Sequence, residues 1–190
     1  MKNFFDYYFE HAEKNPNKVL LRIDNESLTY GEFVDKTAEI ASGMKKLNIK
    51  KNDKIGIIMP NSIEWYLIFW SAVRIGAQPV PLDPQSGEFE LVKLIPATTV
   101  KICFAAEKYR NNPIIEVLKK IIPEKITINK IICFTENSSD IFDDIFISAK
   151  QFQEDFCQDT CDTYIPENEH IMSLACTSGS TGNPKILSVP

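Results

Sequence analysis

The stretch best equipped for chemistry runs from Cys176 to Lys185, CTSGSTGNPK. Gly179 and Gly182 permit backbone conformations closed to other residues and let a ligand approach the main chain closely. Successive N–H groups in such a loop form an anion-binding concavity. Thr177, Ser178, Ser180 and Thr181 add neutral donors, and Lys185 adds a positive charge suited to phosphate. Pro184 fixes the backbone just before that lysine. Read this way, the natural ligand is a polyphosphate. A run of Gly, Ser and Thr can also be no more than a flexible connection. Position favours the ligand: HIMSLAC, His170 to Cys176, reads as a buried strand running straight into the loop. In α/β folds, ligands sit beyond the carboxyl ends of strands. The spacing is not that of a Walker A loop, which places lysine directly after glycine and opens a helix. Here Asn183 and Pro184 separate Gly182 from Lys185, and the ILSV that follows is extended in character. The loop therefore joins strand to strand and would hold phosphate without a helix dipole behind it.

The elements that must position this loop alternate along the chain. VLLRI (Val19 to Ile23) is a strand candidate. Thr29 and Glu32 form a capping box, with Leu28 and Phe33 as its hydrophobic staple. The helix they start places Phe33, Thr37, Ala41 and Met44 on one stripe, with Val34 and Ala38 beside it. KIGIIM (Lys54 to Met59) is a short buried strand. Asn61 with Glu64 caps the next helix, which runs to about Ile75 before Gly76 ends it. Its Trp65, Phe69 and Trp70 read as core. QPVPL is a short strand whose Pro79 and Pro81 favour a sheet edge. Ser86, followed by Glu88 and Glu90, opens another helix. VKICFAA (Val100 to Ala106) is a buried strand, Asn112 and Pro113 start a helix through Ile121, and KIICF (Lys130 to Phe134) is the next strand. The acidic region from Thr135 to Pro166 reads as loops with one short helix, Ala149 to Phe156. Strands separated by helices imply right-handed βαβ units. The predicted architecture is an α/β, doubly wound, mostly parallel sheet flanked by helices.

Composition bounds the rest. The 190 residues suffice for one core, and 44% hydrophobic with 25% charged residues is a globular balance. The net charge of -5 argues against nucleic acid or an anionic membrane as the main partner. The five cysteines are odd in number, and Cys103 and Cys133 lie in apolar runs, which suits free thiols in a reducing cytoplasm. No metal site is expected. Cys157, Cys161 and His170 match no common zinc spacing, and Asp140, Asp143 and Asp144 lack the pattern of a calcium loop. The longest apolar run, Trp65 to Val73, is shorter than the ~20 residues a membrane span takes. His11 and His170 read as structural or surface groups.

TSGSTGNPK resembles the phosphate-loop signature of the adenylate-forming superfamily: acyl-CoA synthetases, adenylation domains of nonribosomal peptide synthetases, and luciferases. LTYGEF and KNDKIGIIMPNSIEWYLIFWSAVRIGAQPVPLDP agree with that family in order and spacing. The resemblance covers most of the chain and is weakest from Glu107 to Tyr164. It implies that a small-molecule carboxylic acid attacks the α-phosphate of Mg-ATP, giving an acyl-adenylate and pyrophosphate. A thiol, coenzyme A or a carrier pantetheine, then takes the acyl group. Carried over, Thr177, Ser178, Ser180 and Thr181 contact the departing phosphates, Gly179 and Gly182 allow close approach, and Lys185 balances charge. Two positions depart from the family's pattern: Ile186 stands where members usually have glycine, and Pro190 where many have serine or threonine. The resemblance puts the catalytic lysine, the metal-binding acid, the acyl pocket and the lid domain after residue 190. Residues 1–190 are thus expected to be the N-terminal part of an adenylation domain, inactive alone and prone to self-associate through uncovered surface. An acyl-CoA synthetase leads this reading; an amino-acid adenylation domain, towards which VPLDP (Val80 to Pro84) leans, and a non-catalytic phosphate-binding or interaction module stay open.

Overall fold

The computed structural model describes residues 4–122, 128–135, 144–157, 159–161, 172–177 and 185–189. The chain opens with helix α1 (Phe4–Lys14) and an antiparallel hairpin of β1 (Val19–Ile23) and β2 (Glu26–Thr29). Helix α2 (Tyr30–Lys46) starts at Thr29, whose hydroxyl accepts from the Glu32 N–H at 3.2 Å. The Glu32 carboxylate accepts in return from the Thr29 N–H at 2.9 Å, completing the expected box. Donation to the Glu32 carboxylate from the Thr29 N–H, and from the Thr29 hydroxyl at 2.9 Å, holds that carboxyl below its ordinary range. The expected stripe is inward: Phe33, Thr37, Ala41 and Met44 are all buried.

Five strands then form one parallel sheet: β3 (Lys54–Ile58), β4 (Gln78–Pro81), β5 (Val100–Ala106), β6 (Lys130–Phe134) and β7 (Phe146–Ser148), in the order β4-β3-β5-β6-β7. β4 lies at one edge, with Pro79 opposite Ile55 and Pro81 opposite Ile57. An edge tolerates two residues that cannot donate to a ladder. Helices α3 (Ile63–Arg74), α4 (Glu88–Thr98), α5 (Ile114–Ile121) and α6 (Ala149–Phe156) connect or follow the strands.

Alternation along the strands feeds two cores. Ile57, Ile102, Phe104 and Ile132 pack beneath α2, α3 and α6. Ile58, Cys103, Ala105, Ile131 and Cys133 pack beneath α4 and α5 on the other face. A third cluster joins α1 and the β1–β2 hairpin to α2 and α3 through Phe5, Tyr8, Leu28, Phe33 and Trp70. The doubly wound reading holds. Burial of Arg74 there is compensated by donation to the Val34 carbonyl at 2.8 Å and to the Thr37 hydroxyl at 2.9 Å.

Three helix starts differ from expectation, each for a local reason. Ser62 caps α3, its hydroxyl accepting from the Trp65 N–H at 3.1 Å, while Asn61 stays outside and exposed. Gly87 caps α4, because Ser86 is buried and its carbonyl is held by the Asn112 side chain at 3.0 Å. Asn112 also donates to the Pro84 carbonyl at 2.9 Å, so it ties two loops together and leaves Pro113 to cap α5. Of the three aromatics read as core in α3, Trp70 is buried and Trp65 and Phe69 are half-buried.

Candidate functional site

The last two strands described, β8 (Ser173–Thr177) and β9 (Lys185–Val189), pair antiparallel as a separate two-stranded sheet. Their register runs in step from Ser173↔Val189 through Cys176↔Ile186 to Thr177↔Lys185. The connection is therefore strand to strand. It is closed at its base by Thr177 and Lys185, the two ends of the candidate loop that lie within the described residues. Cross-strand pairing sets their Cα atoms about 4.5–5.5 Å apart. Ser178, Gly179, Ser180, Thr181 and Gly182 lie outside the described residues.

The hairpin is fastened to the domain on one face. β8 lies beside the edge strand β4. Leu174 is buried in the core under α4 and α5, and Cys176 and Ile186 pack against that core. The Met172 N–H donates to the Val189 carbonyl at 2.8 Å, extending the pairing by one residue. Side chains alternate across a strand. With Ile186 turned to the core, Lys185 belongs to the opposite face, and it is exposed. A cation thus stands in solvent where the chain leaves the loop. Burial pushes the Cys176 thiol above its ordinary value, so it stays neutral beside the site. A neutral thiol neither repels a bound anion nor serves as a nucleophile.

The other residues singled out from sequence are scattered. The His11 ring lies 4.9 Å from that of Tyr30 and is tilted 34° to it, far along the chain from β8 and β9. Cys157 is buried and Cys161 half-buried near α2 and α6, while His170, Asp140 and Asp143 lie outside the described residues. Among the described residues, no three His, Cys, Asp or Glu side chains gather as a metal site would require. None of the described helices is long and apolar enough to cross a membrane. The anchors are Leu174 and Cys176, within the stretch expected to be a buried strand, and Ile186, directly after the loop lysine. Their apolar character was visible, but which core they meet is a matter of tertiary contact.

A family model described as "AMP-binding enzyme" matches residues 8–187. Gramicidin S synthase 2 of Brevibacillus brevis is 24% identical over 184 residues, 97% of this chain and 4% of that protein. 4-Coumarate–CoA ligase 2 of Petroselinum crispum is 26% identical over 181 residues, 94% of this chain and 31% of that protein. Among solved structures, the anthranilate CoA ligase AuaEII in complex with anthranoyl-AMP matches with a TM-score of 0.82 at 19% identity. That alignment covers 98% of this chain and 34% of the ligase, and it carries the likeness of fold. The chain thus spans about a third or less of the length of these relatives.

Proposed function

The chain belongs to the family of AMP-binding enzymes, and from that premise we propose that the β8–β9 loop grips the part of ATP that leaves as pyrophosphate. The proposed whole reaction is acid activation of the acyl-CoA synthetase type. A carboxylate oxygen attacks the α-phosphorus of Mg-ATP, the α–β anhydride bond breaks, and pyrophosphate departs. A thiol, coenzyme A or a carrier pantetheine, then attacks the acyl carbonyl and releases AMP. Residues 1–190 form the N-terminal part of the domain that does this, and they are not expected to complete the reaction alone.

The observation that carries the reading is the register Thr177↔Lys185. It closes a loop of glycines and hydroxyl residues on a rigid base and sets an exposed lysine at the exit. In that arrangement Thr177, Ser178, Ser180 and Thr181 supply hydroxyl contacts, and the main chain at Gly179 and Gly182 comes close to the phosphates. Lys185 offsets the charge that develops on the leaving group, a preorganised electrostatic contribution. The magnesium ion arrives with the nucleotide, since it is held largely by phosphate oxygens and water. The match to gramicidin S synthase 2 over 97% of the chain favours a second reading, activation of an amino acid for a carrier-bound peptide synthesis.

Calorimetric titration of the chain with pyrophosphate tests the loop. Binding with Kd on the order of 1 mM is expected, because one loop supplies part of a site. Lys185→Ala should weaken it several-fold. Equal affinity in the wild type and in Lys185→Ala would remove Lys185 from the grip. Pyrophosphate exchange by the parent enzyme, run with amino acids and with aryl and fatty acids, separates the two substrate readings.

A further inference from the structure

The sheet opens a second cleft away from the hairpin, and its topology explains why. In the order β4-β3-β5-β6-β7, the chain leaves β3 through α3 on one face and leaves β5 through α5 on the other. Adjacent strands whose connections diverge leave a crevice at their carboxyl ends, the usual place for ligands in open α/β sheets. On the α2, α3 and α6 face, α3 packs on β3 and β4, and α6 on β6 and β7. Helix α2 packs against both α3 and α6. The helix that follows β5 lies on the opposite face, so the carboxyl end of β5 is left between α3 and α6. A cavity of about 370 Å³ occupies that gap.

Phe104, Phe134, Phe152, Leu67, Ile68 and Ile40 supply its apolar lining. Phe104 and Phe152 meet edge to face, 5.5 Å between centroids and 85° between planes. Lys36, Glu39, Glu64 and Lys150 bring charges to it, two of each sign. None of the lining residues belongs to β4, β8 or β9.

We propose that this cleft binds a small, uncharged aromatic molecule. Its volume lies within the ~300–1,000 Å³ typical of small-molecule sites. It is more than twice the ~150 Å³ apolar cavity that suffices for benzene. Phe104 and Phe152 are buried against one another, and the half-buried ring of Phe134 is the one left to an aromatic guest, which gains from offset and edge-on contact. The paired charges cancel, so the cleft offers no net field to select an ion. The site is independent of the phosphate loop.

Indole serves as the probe, titrated into the chain and followed by calorimetry and by methyl-resolved NMR. Saturable one-to-one binding is expected, with a Kd on the order of 0.1–1 mM. Shifts should concentrate at the methyls of Leu67 and Ile68. Ala149→Leu and Ile40→Phe each fill the cavity from a different wall and should weaken binding tenfold or more. Leu187→Ser removes an exposed apolar side chain on the hairpin and should leave Kd within twofold. Circular dichroism establishes that each variant is folded. Unsaturable binding, shifts confined to other methyls, or an unchanged Kd in a folded filled variant would each overturn the proposal. The methyl shifts in the unsubstituted chain decide the matter even where neither filled variant folds.

Discussion

VKICFAA in the main sheet and KILSV in the hairpin are both short, apolar, β-branched strands led by or containing lysine, yet the molecule treats them differently. β5 is sandwiched: Ile102 and Phe104 meet one helical layer, Cys103 and Ala105 the other, and all four are at most 1% exposed. β9 is covered on one side. Ile186 packs against the core, whereas Lys185 and Leu187 are exposed, Leu187 to 55%. The same residue types become structure where both faces are covered and remain available for chemistry where one is not. The sheet spends its side chains on packing and serves as a platform. The hairpin, rigid through its register and its few anchors, presents what the platform cannot.

The sharpest way to test that contrast is to damage the platform. Phe104→Ala should lower the unfolding free energy by about 3–5 kcal/mol, the cost of emptying a buried phenyl site, read from urea titrations. A loss below ~1 kcal/mol would mean the sheet is not the source of stability. Gly43→Ala should come next. A Cβ there would stand 2.7 Å from both the Cys157 sulfur and Phe152 Cζ. Overpacking costs roughly 1–3 kcal/mol, partly offset by the ~1 kcal/mol that alanine gains over glycine in a helix. Net destabilisation is expected, and a more stable variant would show that α2 and α6 can move apart freely.

The thiols give a test in pH. Burial, with Glu39 adding, pushes Cys157 up to about 11. Burial, with Cys133 adding, also raises Cys103. Unfolded thiols ionise first, near ~8.5. The folded form then binds more protons than the unfolded one, so stability is full below that pH and falls as pH rises towards 11. Urea midpoints at pH 8 and 10 should show the fall, and Cys157→Ala should make it shallower. A flat profile in the wild type would mean the buried thiols are open to water.

How much of this was legible depends on what had to be covered. β5, β6 and α6 were read from sequence with the bounds the structure has, the two strands because burial on both faces forces a nearly continuous apolar run. The Thr29 box was legible because capping is local. β2, with residues ESLT, has no apolar run and is a strand because β1 pairs with it. β7 is three residues held against β6. α1 is helical where Phe5 and Tyr8 find α2 and α3. Asn112 looked like a helix start and is a tie between loops. At the candidate site, the two strands on either side of the loop were legible as types. The seating of Cys176 and Ile186 on the core was not, since it joins residues distant in the chain.

The smallest expected effect is the most discriminating. Lys185 is exposed, it opens a strand covered on one face, and its register partner Thr177 fixes the backbone whatever the side chain is. Lys185→Ala should therefore change stability by no more than ~0.5 kcal/mol, as surface substitutions do. Its unfolding midpoint should superimpose on that of the wild type while its pyrophosphate affinity falls. Phe104→Ala should show the reverse weighting, a large loss of stability with the loop's affinity kept for the folded fraction. If Lys185→Ala instead unfolded the chain as Phe104→Ala does, the lysine would belong to the platform. The division between a packed sheet and a presenting hairpin would then be wrong at the residue that defines it.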